Sequence, residues 1–221
     1  MHKSSDPEKG RLYEAIGRVA AALGSAGRLQ ILELVAQGER SVDALAAMTG
    51  LSVANTSKHL QALRQAGLVS ARKQGLRVYY VLAGDDVTAL VAALRAVAEH
   101  RAADVERLVR TWLAHRDELE PVPAAELLQR AKKGLVTVLD VRPAEEYAAG
   151  HVPGAINVPV DKLESYLSKL PKRKEVVAYC RGPYCLMSFD AVEKLRKRGW
   201  RARRLQDGFP EWRAAGLPVE T

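Results

Sequence analysis

The sequence predicts a two-domain protein with a mostly helical N-terminal domain and a C-terminal α/β domain built on a central parallel sheet. Its 221 residues suit two domains of about 100 to 150 residues better than one core. The apolar periodicity is helical in the first half and alternates between strand and helix in the second. Pro121 and Pro123 interrupt a helical pattern between the halves. We therefore predict domains over residues 1–119 and 124–221, joined by a linker at 120–123.

Composition narrows the class of protein. The chain is 48% hydrophobic, and it lacks the run of roughly 18 apolar residues that a membrane span needs. The first residues are polar, without the apolar core of a secretion signal. We expect a soluble cytoplasmic protein with no membrane partner. Two cysteines in a reducing compartment favour reactivity over a structural disulfide.

Helical patterns cover residues 11–23, 28–36 and 41–48 in the N-terminal half. Ser41 is placed as an N-cap, and Gly50 follows the third helix. A fourth pattern follows from residue 51 to 64, in which Val53, Thr56, Leu60 and Leu63 share one face. Two short helices joined by a glycine-containing turn predict a helix-turn-helix, whose second helix enters the major groove of DNA.

A two-stranded wing is predicted next. Residues 68–73 and 76–82 alternate with period two around a turn at Gln74 and Gly75. From Ser52 to Gly84 there is no acidic residue, and the cations are Lys58, Arg64, Arg72, Lys73 and Arg77. This +5 balance is typical of a surface that attracts phosphate, although the chain as a whole carries only +8.

The stretches Ser57-Lys58-His59-Leu60 and Ala66-Gly67-Leu68-Val69 resemble the recognition helix and the entry to the wing of ArsR/SmtB-type bacterial repressors. The resemblance implies a dimer that binds double-stranded operator DNA. It places recognition-helix contacts on Ser52, Ala54, Asn55, Ser57 and Lys58; Gln61 shares their face, and Arg72, Lys73 and Arg77 of the wing would hold phosphates. His59 matches a family histidine, as either a base contact or a packed residue.

A single helix is expected over residues 85–118. It carries an apolar stripe that includes Leu90, Leu94, Val97, Leu108 and Trp112. At 1.5 Å per residue this helix would span roughly 50 Å, longer than so small a domain can cover. The terminal helices are therefore predicted to form a homodimer, the alternative being a helix that folds back on its own domain.

Metal sensing, common among ArsR/SmtB-type proteins, is not expected. Residues 41–50 contain no cysteine, and His100 and His115 are fifteen positions apart, too far to chelate one ion. We predict no metal and no cofactor.

In the C-terminal half, strands are predicted at residues 136–140, 155–158, 175–179 and 201–205, and helices at 144–149, 161–170, 188–198 and 210–215. Alternating strands and helices favour a parallel sheet with both faces covered. In such sheets, reactive groups gather at the carboxyl ends of the strands, which is where Cys180 lies.

Cys180, at the end of a predicted strand and before a predicted helix, is expected to be a reactive thiol. An unperturbed thiol, with a pKa of about 8.5, is only a few per cent ionised at neutral pH. Lowering that pKa by about two units needs roughly 2.7 kcal/mol of thiolate stabilisation, which several N–H dipoles and a guanidinium can supply. Arg181 is a candidate for the guanidinium unless it points to solvent, and Gly182 and Pro183 shape the turn.

Three stretches resemble the rhodanese family: Leu139-Asp140-Val141-Arg142 with Gly150-His151-Val152-Pro153-Gly154-Ala155-Ile156-Asn157, the Cys180 loop, and Gly208-Phe209-Pro210-Glu211-Trp212. The resemblance implies that Cys180 carries a sulfane sulfur as a persulfide, received from thiosulfate, polysulfide or another persulfide. It also implies a catalytic loop whose N–H groups cradle the charge, formed by Cys180, Arg181, Gly182, Pro183, Tyr184, Cys185 and Leu186.

Cys185 and Leu186 depart from the family pattern. Many single-domain rhodaneses carry arginine where this chain has Cys185, and related phosphatases need arginine where it has Leu186, so phosphatase chemistry is not expected. Cys185 either resolves the Cys180 persulfide into a bridge or fills space as a small buried hydrophobe. A bridge requires the two Cα atoms to lie within about 7 Å.

Other polar residues of this half are expected to be structural. Asp140, Arg142 and His151 would tie strands and loops together, and Trp212 would lie in the core.

Three functions remain open at this point. The first is a DNA-binding regulator, as a probable repressor, that responds to reactive sulfur or oxidant at Cys180. The second is a sulfurtransferase with an accessory DNA-binding domain. The third is a regulator whose degenerate C-terminal module binds a partner, against which the intact Cys180 argues.

Overall fold

The computed structural model describes residues 6–113 and 121–221. The chain forms two compact units, Met1–Val87 and Thr88–Thr221. The domain limits at 119 and 124 stay a prediction, since part of the intervening segment lies outside the described residues.

The first unit is mostly helical. Its helices are α1 (Pro7–Leu23), α2 (Ala26–Val35), α3 (Val42–Thr49) and α4 (Val53–Gln65), and its strands are β1 (Arg40–Ser41), β2 (Val69–Gln74) and β3 (Arg77–Leu82). The Ser41 hydroxyl accepts a hydrogen bond from the amide of Ala44 at 3.2 Å, which confirms the predicted N-cap. Gly50 follows α3 with φ of 71°, the left-handed conformation that glycine adopts most easily.

The core of this unit lies among α2, α3 and α4. Ile31, Leu45, Leu60 and Leu63 are fully buried there. Val53, which shares a helix face with Thr56, Leu60 and Leu63, is nevertheless 51% exposed. It is the first residue of α4, ahead of the turns that contact α2 and α3.

The wing is an antiparallel sheet in the order β1-β3-β2. Val69 pairs with Leu82 and Gln74 with Arg77, so the register matches the predicted hairpin. Gly75 occupies the turn with φ of 60°. The short strand β1, which pairs Ser41 with Tyr79, was not predicted.

The single helix expected over residues 85–118 is two helices in the structure, α5 (Asp85–Arg101) and α6 (Ala103–Leu113). The amides of Val105 and Glu106 both donate to the carbonyl of Ala102, so a new helix starts there. Asp104 and Glu106 lie in its first turn, where carboxylates favour a helix N-terminus. Residues 114–118 of the expected helix, and with them His115, lie outside the described residues.

The C-terminal part has the predicted α/β architecture. Its strands are β4 (Val136–Asp140), β5 (Ile156–Asn157), β6 (Glu175–Tyr179) and β7 (Ala202–Arg204), and its helices are α7 (Ala124–Lys132), α8 (Ala144–Ala148), α9 (Leu163–Tyr166), α10 (Leu186–Lys197) and α11 (Phe209–Ala214). The sheet order is β5-β4-β6-β7 and every pair is parallel. Helix α7 was not predicted.

Side chains of β6 alternate between the two faces of this sheet. Val176, Ala178 and Cys180 belong to one apolar cluster. Val177 and Tyr179 belong to the other, together with Trp212. The sheet is therefore covered on both faces, and Cys180 starts the loop that leaves its central strand. Of the helices described, none has both the length and the apolar composition needed to cross a bilayer.

Candidate DNA-binding face and cysteine loop

Helix α4 brings the predicted DNA-binding residues of the recognition helix to one side. Ala54, Asn55, Lys58 and Gln61 are exposed, and Ser57 is half-buried. The hydroxyl of Ser52 caps the helix by accepting from the amide of Asn55 at 3.2 Å. Ser52 thus has a structural task as well as its predicted place at the DNA face.

His59 packs inside the first unit. A Cβ atom at Gly27 would lie 3.1 Å from Nε2 of His59, so the imidazole occupies the space beside α2. Of the two roles left open for His59, this contact supports the packed one.

The three wing cations lie in different environments. Lys73 and Arg77 are exposed. Arg72 is paired with Glu39: its Nε lies 3.0 Å from Oε1 and its Nη2 lies 2.6 Å from Oε2. The Arg72 hydrogen bond lowers the pKa of Glu39 below its usual range. Arg72 is therefore held by a carboxylate that lies just before β1, and its predicted contact with DNA phosphate stays a prediction.

Cys180 and Cys185 form a disulfide bond in the structure. Their Cα atoms are 6.2 Å apart, within the limit for a bridge. Cys180 is buried, with 1% of its surface exposed, whereas Cys185 is half-buried at the start of α10. The structure thus has the bridge that one of the two open roles of Cys185 requires, and the resolution of a Cys180 persulfide by Cys185 stays a prediction.

Arg181 anchors the cysteine loop to the buried carboxylate of Glu146. Its Nε lies 3.1 Å from both carboxylate oxygens of Glu146, and its Nη2 lies 2.7 Å from Oε1. The Glu146 side chain is fully buried and that of Arg181 is 20% exposed. The guanidinium is thus bound to a carboxylate rather than extended into solvent. The carboxylate of Glu146 compensates most of the positive charge that Arg181 could have placed near Cys180.

The segment before α11 closes the loop from the other side. The amide of Phe209 donates to the carbonyl of Cys180 at 3.1 Å. A Cβ at Gly208 would lie 2.4 Å from the backbone of Arg181 and Gly182, so only glycine fits. Within the loop, the amide of Cys185 donates to the carbonyl of Gly182 at 3.1 Å, which closes a turn around Pro183 and Tyr184.

Tyr184 reaches out of this turn to helix α5. Its hydroxyl donates to Oε1 of Glu99. The guanidinium carbon of Arg95 lies 5.5 Å from the centre of the Tyr184 ring. Burial, and then the hydrogen bond to Glu99, raise the pKa of the Tyr184 phenol well above its usual value. The hydroxyl therefore keeps its proton at every pH at which the protein is expected to work.

Helix α10 begins at Leu186, directly after Cys185. The first amides of any α-helix have no acceptor within the helix, and they carry partial positive charge. The amide cradle for a Cys180 thiolate stays a prediction, with α10 as its expected donor.

The side chains expected to have structural roles are packed or hydrogen-bonded within the C-terminal half. Arg142 and Asp140 are fully buried and paired, with Nη2 2.6 Å from Oδ2, and Arg142 also donates to the carbonyl of Gly150 at 2.7 Å. The His151 ring stacks on Tyr147 with centroids 3.7 Å apart. Trp212 is 1% exposed, and its Nε1 donates to the carbonyl of Pro218 at 2.7 Å.

Sequence reasoning gave no role to Glu99 or Glu146, and it quoted Gly208 and Glu211 only as part of a motif. Glu211 accepts a hydrogen bond from the amide of Gly208 at 3.1 Å. The partner of Glu146 in the loop, Arg181, lies 35 positions away, so no local spacing marks it. Gly208 was noted as part of a motif without its reason, the close approach of two loops. No local signal in the sequence distinguishes Glu99 from the other acids of its helix.

Within the described ranges, no group of three or more histidine, cysteine, aspartate or glutamate side chains is arranged to hold a metal ion.

Comparisons with known proteins agree with both halves of this description. Residues 25–71 match the family described as bacterial regulatory protein, arsR family, and residues 123–215 match the rhodanese-like domain. The HTH-type transcriptional regulator Rv0324 of Mycobacterium tuberculosis is 48% identical over 96% of this chain and 93% of its own length. A sulfurtransferase of Allochromatium vinosum is 33% identical over 38% of this chain and 78% of its own.

A solved structure also matches the N-terminal half. It is the homodimeric winged helix-turn-helix DNA-binding domain (fragment 1–100) of Mb0332 from Mycobacterium bovis. This fragment is 45% identical, with a TM-score of 0.42, and the match covers 47% of this chain and 95% of the fragment.

Proposed function

The chain belongs to the HTH-type transcriptional regulators that combine an ArsR-family domain with a rhodanese-like domain, and on that premise we propose that sulfane sulfur arriving at Cys180 changes its affinity for operator DNA. The observation that carries the proposal is the pair Cys180 and Cys185, held at bridging distance in the loop after β6. A regulator needs a chemical change that persists until it is reversed, and a bridge between two cysteines is such a change.

The first chemical step is sulfur transfer. The Cys180 thiolate attacks the outer sulfur of a persulfide RS–SH, forming Cys180–S–SH and releasing RS⁻. A polysulfide reacts in the same way, with a shorter polysulfide as the leaving group. This step requires Cys180 as thiolate, which the first amides of α10 are expected to favour.

The second step forms the bridge. The Cys185 thiolate attacks the inner sulfur of Cys180–S–SH, so the Cys180–Cys185 disulfide forms and HS⁻ leaves. The two cysteine thiols have then lost two electrons in total, and the sulfane sulfur has gained them. A cellular thiol reverses the bridge by attacking the more exposed sulfur, that of Cys185.

DNA binding is assigned to α4 and the wing. The exposed side of α4 would enter the major groove, while Lys73 and Arg77 contact phosphates beside it. A homodimer is supported by apolar side chains left exposed on the terminal helices, namely Leu12, Tyr13 and Ile16 of α1 and Leu90, Leu94, Val97, Leu108 and Trp112 of α5 and α6. We propose that this dimer is a repressor acting in the cytoplasm.

The alternative function is a sulfurtransferase that turns over thiosulfate or polysulfide, with the DNA-binding half as an accessory. Cys185 argues against it. A neighbouring thiol at bridging distance gives the Cys180 persulfide an intramolecular partner, which competes with any external acceptor of the sulfur. The bridge would therefore compete with turnover, whereas a regulatory cycle requires it.

Operator binding with and without polysulfide tests the proposal. For the reduced wild type, we expect polysulfide to change the dissociation constant by about 5- to 150-fold, the usual range of allosteric coupling. The Cys180→Ser variant should not respond. The Cys185→Ser variant should hold the persulfide without bridging, so its response shows which species acts. Brisk sulfur turnover with no change in operator affinity for any of the three proteins would favour the sulfurtransferase.

A further inference from the structure

The turn between the two cysteines is attached to helix α5 at two points. The Tyr184 hydroxyl donates to Glu99, and the ring of Tyr184 lies against Arg95. Arg95 also forms an ion pair with Glu211 of α11, with Nη2 3.1 Å from Oε1. All four residues lie within the second compact unit.

These contacts share one side of α5. Arg95 and Glu99 are four positions apart, so they lie one above the other along the helix. The side chains of Arg95 and Glu211 are only 20% and 15% exposed, which makes this pair stronger than an ordinary surface ion pair. The ion pair of Arg95 with Glu211 joins α5 to α11, whereas the hydrogen bond of Glu99 with Tyr184 joins α5 to the cysteine loop.

Tyr184 lies in the short turn between the two cysteines. It immediately precedes Cys185, and its turn is closed by the hydrogen bond from Cys185 to Gly182. The bridge keeps the Cα atoms 6.2 Å apart. Without the bridge that restraint is absent, and a persulfide on Cys180 needs room for one more sulfur next to Cys185.

Helix α5 is the element that can carry this change along the chain. It begins at Asp85, three positions after the wing strand β3 ends at Leu82, and it continues to Arg101. It also carries Leu90, Leu94 and Val97 of the apolar surface assigned to the dimer.

We propose that Tyr184 and Glu99 transmit the state of the cysteine pair to α5, so that the bridged and unbridged loops hold this helix differently. The inference rests on the proposed function for its biological purpose, and it names the route of regulation from the cysteine loop. Tyr184 is a positioning residue: its backbone N–H belongs to the expected cradle, but its side chain takes part in no sulfur chemistry, and its hydroxyl acts only through Glu99.

Hydrogen exchange of α5 amides in the full-length chain tests the route without DNA. The wild type would be compared in the dithiothreitol-reduced state and in the bridged state produced by polysulfide. We expect amides near Glu99 to exchange at least about threefold more slowly in one state than in the other, as local opening depends on such contacts. Tyr184→Phe and Glu99→Gln should abolish most of this difference while mass spectrometry shows that the bridge still forms.

Matched controls are available in the chain. Tyr166→Phe removes a tyrosine hydroxyl elsewhere in the same unit, and Glu106→Gln neutralises an exposed acid on α6. Both should keep the wild-type difference. Equal α5 exchange in the bridged and reduced wild type, or a full difference in Tyr184→Phe, would overturn the inference.

Operator affinity, measured on the same samples, separates the two proposals. If α5 responds through Tyr184 and the affinity does not change, the route stands and the proposed function fails. If the affinity changes by the same factor in the wild type and in Tyr184→Phe, the proposed function stands and the route is wrong.

Discussion

The guanidinium of Arg181, the residue that follows the proposed nucleophile, is bound to the fully buried carboxylate of Glu146. This pair joins the loop to α8, and the loop itself follows the central strand β6. Removal of one partner leaves a buried charge without compensation, which typically costs 3 to 5 kcal/mol.

Glu146→Ala should therefore lower the free energy of unfolding by about 3 kcal/mol and loosen the loop. Urea unfolding followed by circular dichroism measures this cost. Glu145→Ala, one position earlier and exposed, is the matched control and should cost less than about 0.5 kcal/mol. Equal effects of the two substitutions would show that the buried pair does not stabilise the loop.

Gly208→Ala should disturb the cysteine loop without straining its own backbone. Gly208 has φ of −104°, which alanine also adopts, so the added methyl acts only through its 2.4 Å approach to Arg181 and Gly182. We expect slower bridge formation, measured by trapping free thiols at timed intervals after polysulfide addition. Gly17→Ala, in a helix with open space around it, should bridge at the wild-type rate. Wild-type kinetics in Gly208→Ala would contradict the close approach.

Glu39→Gln should strengthen operator binding. The substitution removes the carboxylate that holds Arg72, leaving that cation free to neutralise a phosphate. The salt dependence of binding should become steeper by about one unit of slope. Glu14→Gln on α1 makes the same change of net charge at an exposed position and controls for charge alone. If Glu39→Gln and Glu14→Gln bind operator DNA with equal affinity, the release of Arg72 from Glu39 does not strengthen DNA binding.

Alkaline pH should destabilise the protein partly through Tyr184. The folded state raises the pKa of this phenol, mainly by burial, so the folded protein retains a proton that the unfolded chain releases above about pH 10. The stabilisation is fully present below pH 10 and is lost as the pH rises beyond it. Urea unfolding at pH 8 and pH 10.5 should show a smaller drop in stability for Tyr184→Phe than for the wild type. An identical drop in both would contradict the raised pKa of the buried Tyr184 phenol.

The strands and the cysteine position could be predicted because their signals are local. The apolar runs that became β4 and β6, and the alternation that became the wing, need no knowledge of distant residues. The N-cap at Ser41 is equally local. These features placed Cys180 at the end of a buried parallel strand and the wing cations beside α4.

The remaining features depend on contacts between distant segments. No glycine or proline marks the break at Ala102, so the helical periodicity predicted one continuous helix across it. Strand β1 is two residues long, and it forms only by pairing with β3. The partners of Arg72, Arg181 and Tyr184 lie 33, 35 and 85 positions away, and only the folded chain brings them together.

The most direct test of the central claim follows cysteine chemistry and DNA binding in one titration. Polysulfide would be added stepwise to the reduced protein with fluorescent operator DNA, and each sample divided between anisotropy and intact mass spectrometry. The account predicts that the change in operator affinity rises in proportion to the fraction of chains with a modified Cys180, and that Cys180→Ser shows neither change. Complete modification of Cys180 with unchanged affinity, or an equal response in Cys180→Ser, would contradict it.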